Sequence, residues 1–375
     1  MKIGFNAQIV SGSDAGVATY ARNLIEHLVA ENKNHELYIF GSPDYVNLPE
    51  DFRSRMIPTS QIVNRGWKRI LWEQFVLPAK AKRCHVDVMF YPDHTASLFQ
   101  KPSPVVITVH DLAFMAMPDT FPLGKRIYKT LAVRQSVRRA DRIIADSQAT
   151  KDDCTKLLGI PEDKIKVIHN GIDSYFKKIT EPALLTNTRK KLGLFKNIIL
   201  FVGTLEPRKN VIRLIRAYAH LCKSMHLEHE LVIAGKKGWM YSGIFHEVER
   251  LRLKNRVHFL NYVTQKDLVN LYSMADLFVY PSLYEGFGFP PLEAMACEVP
   301  VVASNVSSLP EVLGDAALLI DPYSTDELVA AMSKILSDVE YSQRLRGKGL
   351  EQVKQYSWKN FAVELLKVFE EINIG

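Results

Sequence analysis

The chain has little of what announces several protein classes. Its 375 residues hold only four cysteines, Cys84, Cys154, Cys222 and Cys297, scattered and without a C-x-x-C pair. That pattern supplies neither a disulfide framework nor a structural zinc site, and a reducing cytoplasm is the expected setting. No stretch of about 18 apolar residues occurs, so no transmembrane helix is expected. Met1–Ala7 (MKIGFNA) reads as a short strand, not as a charged stretch before a long apolar run, and no signal peptide is expected. Low-complexity segments are missing too. So is the G-x-G-x-x-G turn of a dinucleotide oxidoreductase, since neither GSDAGV nor GTLEPRKN fits it. Nor does one sign of charge dominate. The net charge is +7, from 48 basic and 41 acidic residues, and residues 1–175 carry 23 and 19 of them. The small excess is spread evenly, so no nucleic-acid partner is expected.

What is present is the balance of a soluble globular protein, 47% hydrophobic and 24% charged. The length suits about two domains of ~150–200 residues. Short apolar, β-branched runs alternate with amphipathic helical patterns: Lys2–Val10, Val105–Val109, Arg142–Ala145, then Asn197–Val202, Leu231–Ala234, Val257–Leu260 and Leu277–Tyr280. Such runs are parallel strands buried on both faces. The fold class is therefore α/β, with two Rossmann-like doubly wound domains. The expected division is 1–175, a linker at 176–188, 189–357, and a C-terminal helix over 358–375 that packs back on the first domain. In Val167–Asp173 (VIHNGID), Gly171 is expected to end a strand in a turn, free to take positive φ.

The densest chemistry lies in residues 280–296, YPSLYEGFGFPPLEAMA. The strand ends near Pro281, and a helix is expected to start at Pro290 or Pro291, where proline fits the first turn. Gly286 and Gly288 allow close backbone approach to a ligand. The helix N-terminus offers N–H groups and partial positive charge to a phosphate. Glu285 and Glu293 flank this seat and can accept hydrogen bonds from sugar hydroxyls. Taken alone, Glu293 in a first helical turn has a blander reading as a partner of the helix dipole.

A second loop, Gly203–Asn210 (GTLEPRKN), also follows a strand. It carries Arg208 and Lys209 to the carboxyl edge of the sheet, where open α/β sheets bind ligands. Guanidinium and ammonium side by side suit a diphosphate and its developing charge. An exposed basic turn is the alternative reading.

Together these segments resemble the family 4 glycosyltransferases of GT-B architecture, over nearly the whole chain. Glu285 and Glu293 match the family's E-x7-E motif, and residues 201–210 (FVGTLEPRKN) match its phosphate-binding loop. Further similar segments are ADRIIADS at 140–147, VIHNGID at 167–173, LVIAG at 231–235, ADLFVYP at 275–281 and CEVPVVASNVSSLPE at 297–311. In the last of these Glu298 stands where the family more often has glycine. LVIAGKKGW and PPLEAMA look most like bacterial mannosyltransferases of surface-polysaccharide synthesis.

The resemblance implies two domains facing across a cleft, with the acceptor on the N-terminal domain and a nucleotide sugar on the C-terminal one. Arg208 and Lys209 would grip the diphosphate, Glu293 the ribose and Glu285 the sugar. Gly203, Gly286, Phe287 and Gly288 would complete the seat, and Val263 would lie beside the base. Gly16, in a loop poorer in glycine than the family's, would approach the diphosphate from the other domain. His110 follows the strand Val105–Val109 and would contact the donor sugar; a buried histidine bonded to backbone is the other reading. Asp93 and His94 would line the acceptor side. The resemblance further implies retention of configuration. No D-x-D occurs, and no metal or other cofactor is expected. GDP-mannose leads as donor, a UDP-sugar comes second, and a non-catalytic nucleotide-sugar-binding protein stays open. The acceptor would be a saccharide or a lipid-linked one.

Residues 125–142 hold seven basic side chains and one acid, and residues 65–83 add six more basic ones beside Trp67 and Trp72. Basic helices with aromatics suit peripheral contact with an anionic membrane at its inner face. A solvated basic face is the plainer reading.

Overall fold

The computed structural model describes residues 1–10, 16–42, 56–59 and 66–374. The chain divides into two compact units. Unit 1 comprises Met1–Ala116, Leu123–Gly171 and Tyr356–Gly375; unit 2 comprises Met117–Pro122 and Ile172–Gln355.

Unit 1 contains β1 (Lys2–Asn6), β2 (Glu36–Gly41), β3 (Met56–Pro58), β4 (Val88–Tyr91), β5 (Val105–Val109), β6 (Arg142–Ala145) and β7 (Ile165–Val167). They form one parallel sheet in the order β3-β2-β1-β4-β5-β6-β7. Every residue of β4 and β5 is buried, as a strand covered on both faces requires. The helix Trp358–Ile374 belongs to this unit and packs along the helix Gly16–Glu31. Gly171 does not take positive φ. Its constraint is packing: a Cβ there would stand 2.1 Å from the Trp358 backbone nitrogen. The glycine thus lets helix Trp358–Ile374 begin against the segment that follows β7.

Unit 2 repeats the plan with β8 (Ile198–Val202), β9 (Glu230–Ala234), β10 (Val257–Asn261), β11 (Ala275–Tyr280), β12 (Val301–Ser304) and β13 (Ala317–Ile320). The order is β10-β9-β8-β11-β12-β13, again all parallel. A helix at Pro182–Leu192 starts inside the segment read as a linker; proline opens it and Gly193, at φ 67°, closes it.

In each sheet the strand order reverses once, between β1 and β4 and between β8 and β11. Crevices outside the carboxyl ends of such strand pairs are where open α/β sheets take ligands. Gly203–Asn210 follows β8 and Pro281–Gly288 follows β11, so both loops singled out in the sequence leave the same reversal point.

Candidate active site

In unit 2 the two loops are bonded to each other. Leu283 N donates to Arg208 O at 2.8 Å, and Asn210 Nδ2 donates to Pro281 O at 3.0 Å. This brings Arg208, Lys209 and Glu285 into one buried cluster. Lys209 Nζ donates to Glu285 Oε1 at 2.5 Å and to Tyr280 Oη at 2.6 Å. Arg208 Nη1 reaches Glu285 Oε2 at 3.0 Å and the Tyr284 carbonyl at 2.7 Å, and its Nε reaches Glu206 Oε1 at 3.0 Å.

The electrostatics follow from burial. Desolvation lowers the Lys209 ammonium and the nearby Arg208 lowers it further, with Glu285 opposing both. For Glu285, burial alone would raise the carboxyl, yet Arg208 and Lys209 outweigh it and hold the group below its ordinary range. Two cations and two carboxylates thus share a site of little net charge, with the cations desolvated and fixed.

Glu285 is also held from behind. Its N–H donates to Ser307 Oγ at 2.9 Å, and Ser308 Oγ lies 3.0 and 3.1 Å from the carbonyls of Glu285 and Phe287. The loop after β12 therefore fixes the turn Glu285–Gly288. Gly288, at φ 104°, precedes the helix Phe289–Ala296. This start is earlier than the prolines suggested, so Glu293 is the fifth helical residue and lies beyond the first turn. The dipole reading of Glu293 loses its basis. Pro290 and Pro291 lack N–H groups, which thins the ring of helix amides the sequence reading invoked.

Glu293 has a different partner: Tyr272 Oη donates to its Oε2 at 2.8 Å. Burial, despite that bond, and the charge of Asp173 push its carboxyl up to about 7.

Gly203 and Gly235 end β8 and β9 in close contact, and a Cβ on Gly235 would stand 1.9 Å from the Gly203 carbonyl oxygen. No other residue allows these two strand ends to lie so near. Val263, half-buried, follows β10 on the same carboxyl edge, with β9 between its strand and β8.

In unit 1, His110 and Asp93 follow β5 and β4. His110 Nδ1 lies 2.7 Å from Asp146 Oδ2 and Nε2 lies 2.9 Å from Pro92 O. Desolvation alone would lower this imidazole, but Asp146, Asp93 and the Pro92 carbonyl raise it to about 9. Both ring nitrogens are engaged, one by the Asp146 carboxylate and one by a backbone carbonyl, and these acceptors favour the protonated ring. Asp93 is bonded to His94 and lies 3.7 Å from Arg69; burial would raise its carboxyl, but His94, His110 and Arg69 hold it well below the carboxylate range. Glu73 was not singled out by sequence. It is buried on a π-turn, Trp72–Val76, and accepts from Arg69 Nε at 2.9 Å and Asn6 Nδ2 at 3.1 Å. Gly16 is exposed at the start of its helix, and the loop 11–15 before it lies outside the described residues.

Residues 15–175 match the family described as Glycosyltransferase Family 4, and residues 186–352 match Glycosyl transferases group 1. The chain belongs to the family 4 glycosyltransferases. O-antigen chain mannosyltransferase B of Escherichia coli is 29% identical over 381 residues, covering 99% of this chain and 100% of that protein. Serotype-specific mannosyltransferase WbdA, also of E. coli, is 31% identical over 266 residues, covering 70% of this chain and 32% of that longer protein. Among solved structures, sucrose-phosphate synthase of Thermosynechococcus elongatus superposes with a TM-score of 0.78 at 21% identity, covering 99% of this chain and 98% of that one. The fold is GT-B, and this glycosyltransferase carries its buried Arg208–Lys209–Glu285 cluster at the strand reversal of its group 1 region.

Among the described residues of unit 2, Tyr272, Tyr280, Glu206, Ser307 and Ser308 are site partners that no sequence motif marks. Glu206 stood in the quoted loop and Tyr280 at the strand end, but nothing in their spacing says which cation or carboxylate they meet. No described helix is long and apolar enough to cross a membrane.

Proposed function

We propose that this glycosyltransferase moves a mannosyl unit from GDP-mannose to a saccharide or lipid-linked acceptor in the building of a surface polysaccharide. Transfer proceeds with retention of configuration and without a metal. The names of its relatives, one of them matched from end to end, support the sugar and the setting. The observation that carries the chemistry is the buried triad Arg208, Lys209 and Glu285 at the carboxyl edge of β8 and β11.

The acceptor hydroxyl oxygen bonds to the sugar C1 while the bond from C1 to the diphosphate oxygen breaks. The departing oxygen takes the acceptor proton, on the same face of the ring. Negative charge builds on the nucleoside diphosphate, and Arg208 and Lys209 face it already desolvated and positioned. Both Glu285 oxygens are engaged by these cations, so we assign Glu285 to orienting the sugar and the cations rather than to attack on C1. Glu293 accepts from the ribose hydroxyls. The Asp93, His94 and Glu73 group of unit 1 serves the acceptor, and His110 adds a fixed positive charge there.

The test is transfer from radiolabelled GDP-mannose and UDP-glucose to a mannose-rich oligosaccharide, with and without EDTA, followed by α-mannosidase digestion. The expected result is mannosyl transfer that EDTA leaves unchanged, giving a product that α-mannosidase cleaves. Transfer from UDP-glucose alone, loss with EDTA, or a resistant product contradicts the corresponding part.

A further inference from the structure

Two helical stretches of unit 1 break the ordinary rule of burial. Trp67, Leu71 and Phe75 recur at four-residue spacing, and so do Leu123, Ile127 and Leu131; all six are exposed, Trp67 by 67% and Leu123 by 61%. Trp72, Glu73 and Leu77 on the first stretch are buried instead, and so are Val133, Ser136 and Val137 on the second. The apolar stripes are therefore surplus to the core.

The two stretches adjoin. Gln74 Nε2 donates to the Ala96 carbonyl at 3.2 Å, and the Ala96 N–H donates to Ser136 Oγ at 3.0 Å. Phe99, 69% exposed, stacks on Phe75 with ring centroids 5.3 Å apart. The charges around the stripes have one sign. Residues 66–83 carry five basic side chains and residues 123–139 carry six, and the one acid among them is Glu73, buried and held by Arg69.

We propose that this face docks on the surface of an anionic lipid bilayer. Contiguous exposed apolar surface marks an interaction site. Apolar stripes with Trp and Tyr, flanked by lysine and arginine, match the depth profile of a bilayer interface, with side chains entering the acyl boundary and cations meeting the headgroups. A second copy of the same face would set eleven basic residues against eleven, and like charges repel. A free polyanion would leave the apolar stripes in water.

The experiment is flotation of the full chain with vesicles of phosphatidylcholine alone or of equal parts phosphatidylethanolamine and phosphatidylglycerol. The expected result is binding to the anionic vesicles only, falling as salt rises because surface charges are screened. Substituting Leu123→Ser, Ile127→Ser and Leu131→Ser together lowers binding by about tenfold or more. Phe195→Ser, which alters an exposed residue of unit 2, leaves it unchanged. Should the triple variant misfold, Trp67 gives a second readout: a fluorescence blue shift on anionic vesicles that Trp67→Phe removes. Three results overturn the proposal: no binding by folded protein, equal binding to both vesicles, or a wild-type dimer that the serine substitutions dissociate. Vesicle binding is read without donor or acceptor, so it stands or falls apart from sugar transfer.

Discussion

The ammonium of Lys209 donates to Glu285 Oε1 at 2.5 Å, with both side chains buried. Residues from two loops, 76 positions apart in the chain, thus form one ion pair at the strand reversal of unit 2. Arg208 shares the same carboxylate. The cations are set in place by the protein itself, so a diphosphate bound there as proposed would meet charges already positioned.

Lys209→Ala should lower turnover of the donor sugar by ~100-fold or more, the scale of losing a fixed partner of transition-state charge. Steady-state kinetics check this, and full activity in the variant would remove Lys209 from its assigned role.

Glu285→Gln should separate binding from transfer. Without the carboxylate, Arg208 and Lys209 turn their unbalanced charge to an incoming anion. Calorimetric titration should show the nucleoside diphosphate binding more tightly than to wild type, while transfer falls. Weaker diphosphate binding would mean that Glu285 is not competing for the two cations.

The Glu293 carboxyl is raised from 4.5 to about 7, chiefly by burial. The folded protein therefore binds the extra proton, and the stability this contributes is complete below about 4.5 and lost as pH rises through about 7. With Glu293 accepting from ribose hydroxyls as proposed, binding favours the ionised form, and nucleotide affinity should rise between about pH 6 and 8 with release of a proton. Glu293→Gln should bind weakly and flatten both profiles. Equal affinity of the wild type at the two ends of that range would refute the coupling.

His110 is raised from 6.5 to about 9. Its stabilisation is complete below about 6.5 and lost as pH climbs through about 9. Asp146→Asn should return the ring toward its ordinary range, visible as a displaced imidazole titration by NMR. An unchanged titration would show that Asp146 does not hold the proton.

Glu298 has φ 59°, where a Cβ is strained, and its backbone carbonyl accepts from Arg346. A glycine, which the family resemblance more often places there, would carry no such strain. Its ion pair with Lys178 is surface-exposed and of small worth. Glu298→Gly should stabilise the protein by about 0.5–1 kcal/mol, the strain relieved less the chain entropy added. Denaturant unfolding checks the sign.

The sheets were legible because buried parallel strands are short β-branched runs, as in Val105–Val109 and Leu277–Tyr280. The two loops at the strand reversal of unit 2 were legible because each follows such a strand. Details set by long-range packing were not. Pro290 and Pro291 suggested a later helix start, but the fold begins the helix at Phe289 and carries Glu293 past its first turn. Gly171 looked like a turn glycine and is instead a gap filled by Trp358. Tyr272 meets Glu293 across 21 residues and Asn6 meets Glu73 across 67, and no local pattern encodes either bond. Asp146 sits in the ADRIIADS segment, yet only the pairing of β5 with β6 sets it beside His110.

Donor binding by the Arg208–Lys209–Glu285 cluster is tested most directly by a thermal-shift titration of the wild type and of Lys209→Ala with GDP, UDP, ADP and dTDP, each with and without EDTA. A ligand that binds only the folded state raises the melting temperature by mass action. The wild type should show a clear rise with GDP, unaffected by EDTA, and the variant a much smaller one. No rise with any diphosphate, or an equal rise in the variant, would contradict the assignment of Arg208, Lys209 and Glu285 to the donor.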